Sequence, residues 1–291
     1  MWPWAWGCPN GGGDMFKAGT GRSSCWLRGS CPRRGAGARR GGSQGRQGSQ
    51  TFARTLRGCA EFVPTLRRIT TLRNMNKISK IRVANTQRTV SAKVHTCEFE
   101  DFVYWQREIH QPYLATGGGI GSDWNWPRLF LACTMAEKLA RRKCLGIQVR
   151  VEAPSGDAFP VAQAILSYPF AWAGNKMHKS VFLWFVAAAP KAALIANGIF
   201  DRFSTLPVVL DTAVQLSWRV GLSGRVTLHA ASGVSTQENE KLAEKYRNYG
   251  LRQKFKTSTF FRFPFRRDDG RFFYFDSAES IVFARKQDDL R

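Results

Sequence analysis

The sequence has seven cysteines but no CxxC pair, and its four histidines are scattered. Cys8, Cys25, Cys31, Cys59, Cys97, Cys133 and Cys144 stand far apart, and only His95 lies near one of them. A zinc site needs clustered ligands, so no metal centre is expected. Cys133 and Cys144 fall in or beside apolar runs, where a reduced thiol behaves as a small core residue. The expected compartment is therefore a reducing one, the cytoplasm. Long apolar runs are also missing: none approaches the roughly 18 residues of a membrane span, and no membrane contact is expected. The opening MWPWAWGCP is too short, and lacks the charged start, of a secretory signal. Acid is scarce as well, with 21 Asp and Glu against 44 Lys and Arg, a net charge of +23.

What is present divides the chain in two. Residues 1–58 hold 14 of the 27 glycines, are rich in Arg and Ser, and have Asp14 as their sole acid. Their apolar residues follow neither a helical nor a strand period, so they have little to pack into a core. From about Lys77 the aliphatic and aromatic residues arrive in regular blocks, in a stretch ample for one buried core. The expectation is a disordered basic leader over 1–76 and one globular domain over 77–291. The leader has the Arg-rich, acid-poor composition of an organellar transit peptide. A basic arm, or an upstream start with Met75 as the true first residue, explains it equally well. Residues 1–75 carry 13 basic and 2 acidic side chains, so the body is basic in its own right. That suits a polyanionic partner, such as a phosphorylated cofactor or RNA, and suits a merely solubilising surface as well.

The order of elements follows from period and punctuation. Thr89–Cys97 alternates as a strand, and Glu98, Glu100 and Asp101 then supply the acids of a first helical turn. Phe99, Phe102, Val103, Gln106 and Ile109 fall at helical spacing. After the loop TGGGIGSDWNWP, Pro127 opens a helix to about Lys143, with Leu129, Phe130, Cys133, Ala136 and Leu139 on one side. Leu145–Ala153 and Phe159–Tyr168 are strands about a Pro154-Ser155-Gly156-Asp157 turn. Ser180–Ala188, apolar almost throughout, is expected as a central strand buried on both faces. A helix from about Pro207 to Val220 and a strand over Arg225–Ala230 follow. Ser235 and Glu238 form a capping box for a helix that runs to Tyr249, with Gly250 beyond its end. Thr259–Phe265 and Arg271–Phe275 flank Asp268-Asp269-Gly270 as a hairpin. The fold class is α/β (α+β): a mixed, mostly antiparallel sheet with helices on both faces and one parallel pair joined by a crossover helix.

Asn239, Tyr246, Gly250 and Leu251 reproduce a spacing of Asn, six residues, Tyr, three residues, Gly and an apolar residue. Together with LDTAVQLSWRVGLSGRVTLHA before it, this stretch resembles the GNAT (Gcn5-related N-acetyltransferase) superfamily, and the resemblance covers about Thr89 to the C-terminus. Residues seven apart lie two helical turns apart on nearly one face, so Asn239 and Tyr246 can address one elongated ligand. A half-buried helix aromatic and a solvated Asn would give the same spacing without a ligand. The resemblance implies an enzyme, an N-acetyltransferase that takes acetyl-CoA as co-substrate and transfers the acyl group to an amine-bearing acceptor by direct attack. It places the pantetheine along Ser180–Ala188, at Val186, Ala187 and Ala188, and the pyrophosphate on the N-terminus of the crossover helix, at Arg202, Thr205 and Val208. It makes Asn239 a cofactor contact and Tyr246 the catalytic acid that protonates the departing thiolate.

The chain departs from the family at two points. The pyrophosphate loop is typically Gln or Arg, two residues, Gly, one residue, then Gly or Ala. Counting forward from Pro190 reaches Ala193, Ala196 and Gly198, which match only at the last position. Counting back from the helix reaches Arg202, Thr205 and Pro207, which match only at the first, and helix length favours this alignment. Many relatives carry a carboxylate base on the central strand, and FLWFVAAA has none; Glu152, Asp157 or a water are alternatives without a spacing argument. The second functional reading is a catalytically silent relative whose basic face binds RNA or another polyanion. Gly117-Gly118-Gly119-Ile120-Gly121 lacks the Lys-Ser/Thr of a phosphate loop; a substrate-contacting segment and a plain connector fit it equally. His229, on an apolar strand, reads as a satisfied core histidine. The Arg/Phe interleaving of FFRFPFRRDDGRFFYF reads as an amphipathic hairpin rather than a nucleic-acid surface.

Overall fold

The strands expected from alternation and from apolar runs join into one sheet. The computed structural model describes residues 78–114, 121, 123–233, 235–255 and 269–291. The leader expected over 1–76 and the arm Thr259–Phe265 lie outside the described residues. The strands are β1 (Lys80–Arg82), β2 (Thr89–Cys97), β3 (Lys143–Glu152), β4 (Ala158–Ala171), β5 (Lys179–Ala188), β6 (Val226–His229), β7 (Arg252–Lys254) and β8 (Phe272–Phe275). Their order across the sheet is β1-β2-β3-β4-β5-β6-β8-β7. Strands β1 to β5 form an antiparallel meander, and β6, β8 and β7 pair antiparallel at the other end. The one parallel junction is β5 with β6. A parallel neighbour cannot be reached through a tight turn, so the chain crosses over through a helix.

The helices are α1 (Phe99–Tyr104), continued by a π-helical turn (Trp105–His110) and by α2 (Gln111–Leu114), then α3 (Trp126–Leu139), α4 (Lys191–Ala196), α5 (Thr205–Arg219), α6 (Thr236–Asn248) and α7 (Ser277–Arg285). The wider turn, with the Gln111 N–H donating to Gln106 O, brings Trp105, Ile109 and His110 inward together. Asn125 caps α3 by accepting from the Arg128 N–H at 3.1 Å. Phe102 of α1 stacks on Phe130 of α3 at 4.2 Å between centroids. That contact fixes the rotation of α3, whose buried seam is Trp126, Phe130, Cys133 and Glu137. The expected stripe is corrected here: Leu139 is 86% exposed. The crossover helix α5 is buried along most of its length and packs on β5 and β4.

Two further expectations change. Helix α5 begins at Thr205, two residues before Pro207, because the first-turn N–H groups of a helix have no intrahelical acceptor and a proline there loses nothing. Strand β8 takes β7 and β6 as partners, with Gln253 opposite Phe273 and Leu228 opposite Phe273 on its other edge. Strand β1 and helices α4 and α7 were not expected. The short strand β1 is held at the sheet edge by α5 and the C-terminus, where the Ser79 N–H donates to Leu290 O at 2.7 Å. Cys97 and Cys144 are free thiols. Among the described residues no helix is long and apolar enough to cross a membrane, and no group of His, Cys, Asp and Glu could hold a metal ion.

Candidate functional site

Strand β5 carries the site. Its ladder to β6 runs through Val181–Val226, Phe182–Thr227 and Leu183–Leu228, and ends there. At the same point its register with β4 passes from Leu166–Leu183 to Ile165–Phe185, which leaves Trp184 as an extra residue. A bulge bends its strand and sharpens the local twist. The rings of Trp184 and Phe185 consequently lie together, nearly parallel, 6.5 Å apart. Past the bulge β5 and β6 separate into a cleft. Residues Ser180–Trp184 are buried as expected of a central strand, but Phe185, Val186 and Ala187 are half-buried and Ala188 is exposed. The expectation of burial on both faces is corrected for that half.

The cleft has three further walls. Leu228, His229 and the following Ala231 line it from β6, Thr205 and Leu206 from the start of α5, and Leu242, Lys245 and Tyr246 from α6. Trp124 closes it against Phe185, edge to face at 5.0 Å. Of the residues expected at the site, Tyr246, Val186, Ala188 and Thr205 line this cleft. Ala187, on the same open half of β5, is not among the lining side chains. Arg202 is exposed on the segment leading into α5, and Val208 is fully buried in its first turns.

The α6 motif has a geometric basis. Ser235 accepts from the Glu238 N–H at 3.1 Å, one half of the expected capping box. At the other end the Leu251 N–H reaches Tyr246 O and the Gly250 N–H reaches Arg247 O, with Gly250 at φ +88°. This is a Schellman ending, and it needs a residue that tolerates the left-handed region. The Tyr246 ring packs on Phe273 at 5.1 Å, and burial pushes its phenol well above the ordinary range. The phenol therefore holds its proton at neutral pH, as a proton donor must. Asn239 does something else: its Oδ1 accepts from the Gly233 N–H at 2.6 Å, tying down the loop between β6 and α6.

The amides at the start of α5 are fewer than a pyrophosphate loop usually offers. The Ser204 N–H already donates to Arg82 O at 3.0 Å, and Pro207 has none. Thr205 and Leu206, which line the cleft, retain first-turn amides that no helical carbonyl can take.

No protein-family model matches the sequence, and no curated protein matches it either. Twelve chains of solved structures match it, among them the following three. Spermidine N-acetyltransferase from Vibrio cholerae in complex with CoA and spermine shares 12% identity over 65% of this chain and 98% of that one, at a TM-score of 0.40. Apo FdhC, a nucleotide-linked sugar GNAT, shares 12% over 68% and 94%, at 0.40. AtaTR bound with acetyl-CoA shares 11% over 66% and 96%, at 0.34. At these values they assign no substrate, ligand or partner to this chain. The architecture itself is the mixed, mostly antiparallel sheet with one parallel pair and a crossover helix that the resemblance implies.

His229, expected as a satisfied core histidine, is buried and hydrogen-bonded, and it also lines the cleft. His229 ends β6 with only 4% of its side chain exposed, and its Nε2 lies 2.9 Å from Asp269 Oδ1. Asp269 is in turn held by Arg271, whose Nε donates to Oδ2 at 2.8 Å and whose backbone N–H donates to Oδ1 at 3.1 Å. Burial works to raise the Asp269 carboxyl, but the hydrogen bonds from His229 and Arg271 outweigh it and hold it well below the usual carboxylate range. The available signal was positional. His229 stands at the carboxyl end of a strand in a parallel pair, where open α/β sheets place their ligands.

Proposed function

We propose that this chain is a CoA-dependent N-acyltransferase, acting on acetyl-CoA and an amine acceptor. The observation that supports this most is the separation of β5 from β6 beyond the Trp184 bulge. Among the described residues, no strand pairs with the edge of β5 from Val186 to Ala188 on the β6 side. An extended ligand with amide groups, such as pantetheine, can take the place of the missing strand along Val186, Ala187 and Ala188, bonding to backbone as an added strand does. The half-buried apolar side chains there suit its methylene units. Its phosphate end would meet the Thr205 and Leu206 amides, with Arg202 as the nearby cation. Its sulfur end would lie toward Tyr246, whose protonated phenol suits protonation of a leaving thiolate.

The resident chemistry fits an acyl thioester better than a polyanion such as RNA, because the cleft is lined mainly by apolar and aromatic side chains. Titration calorimetry with acetyl-CoA tests the proposal. Binding is expected, with a rise in melting temperature at saturating ligand. Arg202→Ala should weaken it by a charged hydrogen bond, about 1.5–3 kcal/mol. If the wild type takes up no acetyl-CoA at millimolar concentration, the proposal fails and a silent relative remains.

A further inference from the structure

An acyltransferase cleft must hold an acceptor as well as a thioester, and its walls decide which amines it admits. With pantetheine along Val186 to Ala188, the wall that remains toward the bulge is Leu183, Phe185 and Trp124. Among the described residues that line the cleft none is Asp or Glu, and Lys245 adds a cation. Asp269, beside His229, is already engaged by Arg271. The undescribed residues next to Trp124, 115–120 and 122, contain no acid in sequence. Over 256–268 the one acid, Asp268, stands with Lys256, Arg262, Arg266 and Arg267, and residues 1–75 carry Asp14 and Glu61 against 13 basic side chains. A charge taken out of water without a partner is costly. The cleft therefore suits an acceptor with one amine and suits a polyamine poorly.

The aromatic part of that wall is held to a fixed shape. Trp124 is half-buried, and its ring meets Phe185 edge to face at 5.0 Å and Trp126 at 5.6 Å. Trp126 is fully buried, and its backbone N–H donates to Gln106 Oε1 at 2.9 Å. Against the Trp124 indole lies Gly121, at φ +82°, where a Cβ would stand 2.8 Å from the ring. The Trp124 N–H donates to Gly121 O at 3.1 Å, and Nε2 of the buried His110 lies 3.0 Å from the same oxygen. Glycine is thus required there twice, by the backbone conformation and by the ring packed on it. An indole seated in this way offers a large apolar surface at small entropic cost. Apolar walls also disfavour the ammonium form of an amine relative to the free amine, the form that attacks a carbonyl.

We propose that the acceptor is an arylalkylamine, one primary amine on an aromatic body, and that Trp124 selects it. The proposal rests on the acyltransferase reading above and names the substrate class for it. The free amine nitrogen bonds to the thioester carbonyl carbon as the carbon–sulfur bond breaks. The leaving sulfur takes the electron pair of that bond and the phenol proton of Tyr246. One amine proton passes to water, and Tyr246 regains one from water. The products are the amide and the free CoA thiol.

The test uses the full chain with acetyl-CoA, read by thiol release. Tryptamine and phenethylamine are set against spermidine, a lysyl peptide and glucosamine. For the aromatic amines kcat/KM should exceed that for spermidine by about tenfold or more, the scale of one poorly paired charge. Trp124→Ala should raise KM for tryptamine about tenfold, the scale of a lost aromatic contact. Its effect on kcat, on acetyl-CoA affinity and on KM for spermidine should be smaller. Trp124→Phe keeps an aromatic wall and should restore most of the preference, whereas Gly121→Ala displaces the indole without removing it and should lower the preference. Melting curves of each variant separate a lost wall from a lost fold, and if Trp124→Ala does not fold, the wild-type ranking of amines and Trp124→Phe decide. A preference for spermidine or the lysyl peptide, or a loss in Trp124→Ala that is equal for every amine, would overturn the proposal. So would a wild type that binds acetyl-CoA yet transfers to neither aromatic amine; the cofactor reading would then survive alone. Absence of acetyl-CoA binding would remove both.

Discussion

The two halves of β5 have nearly the same composition and different fates. In the first, Val181, Phe182 and Leu183 face a parallel partner and are buried at 0–2% exposure. In the second, Phe185, Val186 and Ala187 are equally apolar but half-buried, because the Trp184 bulge has turned the strand away from β6. Each half also has a carboxylate nearby. Glu137 of α3, 1% exposed, lies near Ser167 and Trp184 on the closed side. Burial raises its carboxyl, and Arg142 at 3.4 Å offsets part of this. Asp269 stands on the open side and is held low by His229 and Arg271 against the effect of its burial. A closed half supplies stability and an open half supplies a place to bind, and each assignment can be tested separately.

The largest effect should come from one residue type compared across the bulge. Phe182→Ala removes a fully buried ring that stacks on Phe170 at 4.3 Å, and should cost about 3–5 kcal/mol of stability. Phe185→Ala, in the open half, should cost less than half of that while weakening acetyl-CoA binding. Equal losses in chemical denaturation would erase the distinction between the halves.

Next in size is the tyrosine pair on α6. Tyr246→Phe keeps the ring against Phe273 and deletes the proton, so kcat should fall roughly a hundredfold with binding and melting temperature nearly unchanged. Tyr249→Phe, three residues on and outside the cleft lining, should do little. Equal effects at both positions would make Tyr246 a packing residue.

The smallest effects concern pH, and they should have opposite signs. The Glu137 carboxyl is raised above 4.5 in the folded state, so its contribution is fully present below that value and is lost as pH rises through its folded pKa. Glu137→Gln should therefore gain on the wild type as pH rises above about 4.5. The Asp269 carboxyl is lowered from 3.8, so its contribution is present above that value and is lost as pH falls. The deficit of Asp269→Asn should therefore shrink below about pH 3.8. Melting curves from pH 2.5 to 8 read both, and parallel behaviour of the two variants would contradict the opposite environments.

Much of the frame was legible because it rests on local rules. Thr89–Cys97 alternates and forms β2 over those residues, and Ser235 and Gly250 bracket α6 through a cap and a left-handed ending. The seam of α3 was misjudged because Glu137 breaks an apolar pattern that the Phe102–Phe130 stack overrides. Short β1 has too few residues to show a period, and its place depends on contacts with Leu290, more than two hundred positions away in sequence. At the site, Tyr246 could be singled out from its spacing to Asn239 and Gly250. The cleft beside His229 could not, since a histidine in an apolar strand looks alike whether or not a cleft opens beside it.

By itself the sequence determined the order of the longer elements from β2 to α6, the crossover helix between parallel strands and the ends of α6, since periodicity, caps and glycine conformation act within a few residues. Only the tertiary structure decided that β5 parts from β6 at Leu183, that Asn239 ties down a loop, and that Asp269 reaches His229 from forty residues away. Those outcomes depend on register between strands and on charges brought together across the sheet, and neither is encoded in any single local stretch of chain.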